Sequence, residues 1–155
     1  MKKLFVLFSA LLLGTLVFAT NPPEVDQKLV QSFKTNFPHA TEVNWYEEEN
    51  AYVVNFLENG IRSRISYQKD GKITEISRSY KEANMPFYVQ YVVKRKYPGK
   101  SIFGVIEMLT VSEPGTQSQI EYHVKLEDDT TWTTVKLDSD GHLSIVEKFR
   151  KSFAK

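Results

Sequence analysis

From residue 20 onward the chain follows one outline twice, and that correspondence limits the folds open to it. Asn36-Phe37-Pro38 returns sixty residues later as Lys96-Tyr97-Pro98, and Lys69-Asp70-Gly71 returns seventy residues later as Ser139-Asp140-Gly141. Between these landmarks Tyr52, Val54 and Phe56 reappear as Tyr122, Val124 and Leu126. A proline that closes a helix and an Asp-Gly that closes a hairpin are both strong local signals. Their recurrence in the same order predicts the same run of elements in each half.

Val25, Leu29, Phe33 and Phe37 recur every four residues, the stripe of an amphipathic helix with one buried side. Met85, Val89, Val93 and Tyr97 repeat the stripe, with Pro86 where a first-turn proline is tolerated. Four strand-like runs follow each helix, at 41–47, 51–57, 61–68 and 72–80, then at 101–111, 117–126, 131–138 and 142–149. The connectors are short: Glu48-Glu49-Asn50, Glu58-Asn59-Gly60 and Lys69-Asp70-Gly71, then Glu113-Pro114-Gly115, Asp128-Asp129 and Ser139-Asp140-Gly141. Connections of this length force antiparallel neighbours. The expected fold class is α+β, a tandem repeat of a helix packed on a four-stranded antiparallel meander. Residues 20–80 form the first unit and 81–155 the second.

Strand alternation assigns the faces. Ile61, Ile65 and Tyr67, like Thr133, Val135 and Leu137, point toward the helices, as do Val43 and Trp45. Glu42, Asn44, Tyr46, Val53, Asn55, Arg62, Arg64 and Ser66 take the opposite face, joined by Glu121, His123, Lys125, Trp132, Thr134 and Lys136. If the two sheets meet edge to edge, these residues line one broad open surface.

The amino terminus is of another kind. Lys2 and Lys3 precede an apolar run from Leu4 to Ala19, and Val17-Phe18-Ala19 places a small residue ahead of Thr20. This is the pattern of a secretory signal peptide over residues 1–19. A membrane anchor is the competing reading, but a spanning helix needs about 20 apolar residues, and Asn21-Pro22-Pro23 follows at once. Cleavage leaves no stable membrane anchor and a periplasmic or secreted protein. Without Lys2 and Lys3 the 20 basic side chains become 18 against 19 acidic ones, a net charge of −1. That balance lacks the basic stripe of a nucleic-acid binder. Zero cysteines exclude a disulfide framework and a thiol nucleophile, so a hydrophobic core must hold the fold.

No catalytic constellation assembles in the sequence. His39, His123 and His142 are scattered without the spacing of a His-Glu-x-x-His zinc helix, and no Gly-x-Ser-x-Gly elbow or glycine-rich phosphate loop occurs. No cofactor and no metal is expected. Glu47-Glu48-Glu49 and Glu127-Asp128-Asp129 lack calcium-loop spacing and read as solvated turns. Lys94-Arg95-Lys96 closes the second helix where its dipole is negative. Tyr46, Arg62, Arg64, His123 and Trp132 remain as candidate partner-binding residues on the open face, because tryptophan, tyrosine and arginine dominate binding hot spots.

Phe37-Pro38, Val43-Asn44-Trp45, Tyr52-Val53-Val54-Asn55-Phe56, Asn59-Gly60 and Tyr67-Gln68-Lys69-Asp70-Gly71 together resemble the PepSY-like proteins of Bacteroidetes. These small exported proteins are grouped with the β-lactamase-inhibitory-protein-like fold. The resemblance is stronger over 24–80 than over 81–152, where Phe103-Gly104-Val105 stands in place of Val-x-Trp. It implies helix-plus-four-strand units, a concave sheet platform and no known catalytic activity. The expected function is an exported, non-enzymatic binding protein that presents its open sheet to an unidentified exported protein or peptide. A small-ligand or glycan receptor is the alternative.

Overall fold

The computed structural model describes residues 25–112 and 117–152. The expected signal peptide and the connector at 113–115 lie outside them. Helix α1 spans Gln27–Asn36 and is followed by β1 (Thr41–Glu48), β2 (Ala51–Glu58), β3 (Ile61–Gln68) and β4 (Ile73–Tyr80). A short 3₁₀ turn at Glu82–Asn84 leads into α2 (Phe87–Lys96), then β5 (Ser101–Thr110), β6 (Gln119–Glu127), β7 (Thr131–Leu137) and β8 (Leu143–Arg150).

Local chemistry sets the element ends. Asp26 caps α1, its carboxylate accepting from the Lys28 amide at 2.8 Å, one of the first-turn donors that a helix leaves without a partner. Both helices stop at an aromatic residue ahead of proline: the Phe37 amide donates to the Phe33 carbonyl and that of Tyr97 to the Val93 carbonyl, each at 2.9 Å. Asn59 and Gly60 both take positive φ, at 52° and 78°, as a tight type I′ hairpin requires.

The expectation of two helix-plus-four-strand units is corrected by the strand pairing. All eight strands form one antiparallel sheet in the order β1 to β8. β4 and β5, which two separate meanders would have left as edges, pair from Glu75 opposite Thr110 to Tyr80 opposite Val105. Two four-stranded sheets would expose two further rows of unpaired backbone donors and acceptors. Joining them satisfies those groups and, among the described residues, leaves β1 and β8 as edges. The described residues form one sheet with two helices on it.

Register places both helices on the same face, since Val54, Ile65, Ile76 and Leu109 lie in one row and Tyr80, Val105, Val124 and Val135 in a parallel one. Leu29 and Phe33 of α1 pack on Val54, Phe56, Ile65 and Tyr67, with Trp45 at the margin. Val89 and Val93 of α2, with Met85 before it, pack on Val105, Val124, Leu126, Val135 and Leu137. Each such side chain fully removed from water contributes about 1.5–3 kcal/mol. Opposite Leu126 of the second cluster, the Thr133 hydroxyl is buried without a hydrogen-bond partner.

Register shifts interrupt the alternation in β1, β4, β5 and β8, and Val43 and Val53 differ in burial from what parity implies. Val43, expected in the core, is exposed, because the β1–β2 register shifts between Thr41 and Asn44 and Glu42 adopts a φ of 51°. This bulge turns the start of β1 away from the sheet. Val53 lies on the open face and is nevertheless fully buried. At the other edge, β8 exposes Ile145, Val146 and Phe149.

Candidate functional site on the open sheet face

A hollow on the open face gathers part of the predicted set. Tyr46 of β1, Arg62 and Arg64 of β3, Asn55 of β2, Ser77 of β4 and Ile106 of β5 line a recess of about 350 Å³. Strand alternation puts these side chains on one face, and the β2–β3–β4–β5 pairing brings them into adjacent rows. Arg64 donates to Glu48 at 2.9 Å, whereas Arg62 is 3.8 Å from Glu42 with 78% of its side chain exposed. Exposed pairs of this kind contribute at most about 1 kcal/mol, so both guanidiniums stay available to a carboxylate from outside. Tyr46 adds a half-exposed ring, and Ile106 an exposed apolar floor.

His123 and Trp132 stand apart from this recess. His123 occupies the row Arg62, Ser79, Ile106, His123, three strand spacings from Arg62, or about 14 Å. Its Nε2 is 3.5 Å from Glu121, which also accepts from Lys136 at 3.0 Å. The Lys136 ammonium, with His123 beside it, holds the Glu121 carboxyl below the usual range. Trp132 sits near the turn between β6 and β7. Lys125 and Lys151 lie 4.8 and 4.6 Å from its ring, and Phe103 meets it edge to face at 5.0 Å. Cations over the ring gain from its negative faces, so intramolecular contacts already hold this tryptophan. The structure thus brings together Tyr46, Arg62 and Arg64 and leaves His123 and Trp132 as separate points on the same face.

The acidic runs are engaged by cations and backbone amides. Glu47 pairs with Lys69 at 2.7 Å, and Glu127 with Lys151 at 3.0 Å. Asp128 bonds Lys100 and accepts from the Thr130 and Thr131 amides at 2.8 and 2.6 Å. Asp138, Asp140 and His142 place one ligand atom each within 4.8 Å of one another. The Asp138 carboxylate there accepts the amides of Asp140 and His142 at 3.0 and 2.8 Å, which explains the cluster as a stabilised turn.

Exposed aromatics on α2 escaped the sequence-based assignment. Phe87, Tyr88 and Tyr91 lie off the buried stripe, and Phe87 is 79% exposed. The Phe87 and Tyr91 rings are 6.4 Å apart and inclined by 25°. The signal was present: the corresponding positions of α1 are polar, whereas α2 carries three rings on its outer side.

With this geometry in hand, comparison with known proteins defines the fold. A β-lactamase-inhibitory-protein-like (BLIP-like) protein from Bacteroides fragilis superposes with a TM-score of 0.60 at 16% identity, covering 88% of this chain and 92% of that one. A protein from Bacteroides eggerthii, provisionally described as periplasmic, gives 0.57 at 13% identity over 83% and 90%. A DUF2874 family protein from Bacteroides uniformis gives 0.55 at 19% over 81% and 88%. The fold is therefore BLIP-like, and none of these neighbours is described as an enzyme. No protein-family model matches the chain, and no curated protein matches it. Among the described residues no helix is long and apolar enough to cross a membrane.

Proposed function

We propose that this is an exported, non-enzymatic binding protein whose open sheet face receives an acidic segment of a protein or peptide partner. The observation that supports it most is the recess where Tyr46, Arg62 and Arg64 converge on one face of a sheet whose other face is taken up by helices. An arginine fork grips a carboxylate in two parallel hydrogen bonds, and a tyrosine ring beside it excludes water from the contact. His123 and Trp132 then bound the footprint rather than fill it. Inhibition or regulation of an exported enzyme is the sharpest form of this reading, and it is supported by the fold likeness alone. Export is supported by residues 1–19 and by the provisional description of one neighbour as periplasmic. The PepSY-like resemblance of residues 37–71 points the same way.

A second reading, a neutral glycan in the same recess, draws on the amide and hydroxyl groups of Asn44, Asn55, Ser77 and Ser79 around Tyr46. Affinity capture from periplasmic extract, followed by titration with the purified captured protein, decides between them. The first reading expects an Arg62→Glu/Arg64→Glu variant to lose on the order of 100-fold in affinity, as reversal of two contact charges implies. Affinity unchanged by that variant sinks it. Thermal stabilisation by a neutral oligosaccharide, lost in Tyr46→Ala, would establish the second.

A further inference from the structure

We propose a second binding site, at the junction of α2 with the turn between β7 and β8, that accepts an acidic saccharide. A recess of about 570 Å³ there is lined by Tyr91, Arg95 and Lys96 of α2 and by Gly141, His142 and Leu143 from the turn. It lies on the helix side of the sheet, so it is independent of the open-face recess.

Cations and aromatic rings coincide at this recess. Among the described residues Arg62, Arg64, Lys69, Lys72, Arg78, Lys94, Lys100, Lys136 and Lys151 stand against a carboxylate, and about as many cations, Lys148 and Arg150 at another recess among them, do not. Arg95 instead meets the Tyr91 hydroxyl at 3.5 Å, and Lys96 the Leu143 carbonyl at 3.0 Å. Neither has an acidic partner among the described residues, and both border the same hollow. Two cations without counter-charge at one recess favour an anionic group, which their combined field would hold more firmly than either alone.

The rings specify the rest of the ligand. Phe87, Tyr88 and Tyr91 are all more than half exposed, and the Phe87 and Tyr91 rings lie nearly parallel. An aromatic face beside hydrogen-bonding groups suits a ligand with one apolar and one polar side. A pyranose has that character, since its axial C–H bonds share a face and its hydroxyls form the rim. A carboxylate on the ring would reach Arg95 and Lys96 while the C–H face stacks on Tyr91. The acids Asp138 and Asp140 in the adjoining turn disfavour a broad anionic surface such as a membrane, but they leave room for a single sugar carboxylate and can accept its hydroxyls.

The test is a nitrogen-15 NMR titration of the chain lacking residues 1–19 with a uronic-acid disaccharide and with its carboxyl-reduced, neutral counterpart. The expected result is saturable shifts confined to α2 and 141–143, with a dissociation constant in the high micromolar to millimolar range usual for small, shallow sites. The neutral sugar should bind at least about tenfold more weakly, and Arg95→Gln should erase that preference. Tyr91→Ala should abolish binding of both sugars while the spectrum stays that of a folded protein. No shifts at millimolar sugar, equal affinity for the two sugars, or binding indifferent to Tyr91→Ala each overturns the assignment. Shifts at Tyr46 and Arg64 instead would place the saccharide on the open face and likewise reject this site.

Discussion

At the residue scale the Thr133 hydroxyl is the least economical group in the core. It is 1% exposed, donates to nothing and accepts from nothing, with Leu126 opposite it on β6 and Lys148 on β8. A buried polar group without a partner costs about 1–3 kcal/mol. Thr133→Val keeps the branched shape and should raise stability by about 1 kcal/mol in denaturant unfolding; a loss would mean that a water serves the hydroxyl. Tyr80 is the opposite case, a buried phenol donating to Glu107 at 3.1 Å. Burial first, then the Glu107 charge, pushes its pKa above the ordinary value of 10.0. A folded-state pKa raised above the unfolded one gives stability that is complete below pH 10 and declines as the pH climbs past it. Alkaline unfolding should therefore begin near that value, and Tyr80→Phe should flatten the decline. Ultraviolet titration should show the Tyr80 phenol ionising late, with Tyr67 and Tyr122 also raised, mainly by burial.

At the scale of elements, the turn between β6 and β7 is built on one carboxylate. Asp128 accepts two backbone amides and the Thr131 hydroxyl, and it meets Lys100 at the entry to β5. Hydrogen bonds from Lys100, then from Thr130 and Thr131, hold its pKa well below the usual 3.8. A depressed folded-state pKa gives stability present above the unfolded value and lost as the pH falls below it. At neutral pH Asp128→Ala should lower Tm more than Asp128→Asn, which keeps an acceptor for the amides. Both should weaken the acid dependence below pH 4. If neither changes it, another carboxylate governs that range.

Much of this element layer was legible in sequence, because proline stops, Asn-Gly and Asp-Gly turns and alternating strands are local. The joining of β4 to β5 was not. Periodicity reports which side of a strand is buried and is silent on which strand lies beside it. The Val43 bulge was missed for a related reason, since an extra residue breaks alternation without leaving a pattern of its own. For the candidate site, Tyr46, Arg62 and Arg64 could be placed on one face from parity alone. The enclosure of Trp132 by Lys125, Lys151 and Phe103 depends on three strands and a terminal segment, which no single window contains.

At the scale of the whole molecule, the continuous sheet should unfold as one unit. The two tryptophans test this, because Trp45 packs against Phe33 and Tyr67 in the first cluster while Trp132 reports on the far half. Phe33→Ala removes a 2%-exposed ring from beneath α1 and should cost about 3–5 kcal/mol. Followed in single-tryptophan variants, the loss should move both fluorescence transitions together. Separate transitions would show that the β4–β5 seam transmits little.

The two ends of the sheet are unequal as growth fronts. β1 begins with a bulge, and its Glu47 and Glu48 are committed to Lys69 and Arg64, so an incoming strand meets a bent, charged border. β8 has an irregularity of its own between Ile145 and Glu147, but it exposes Ile145, Val146 and Phe149. Strand addition at β8 alone would seal the more receptive end among the described residues and turn two blunted borders outward. Fibre elongation needs a live end on each new copy. A sheet with one such end would act as its own chain terminator.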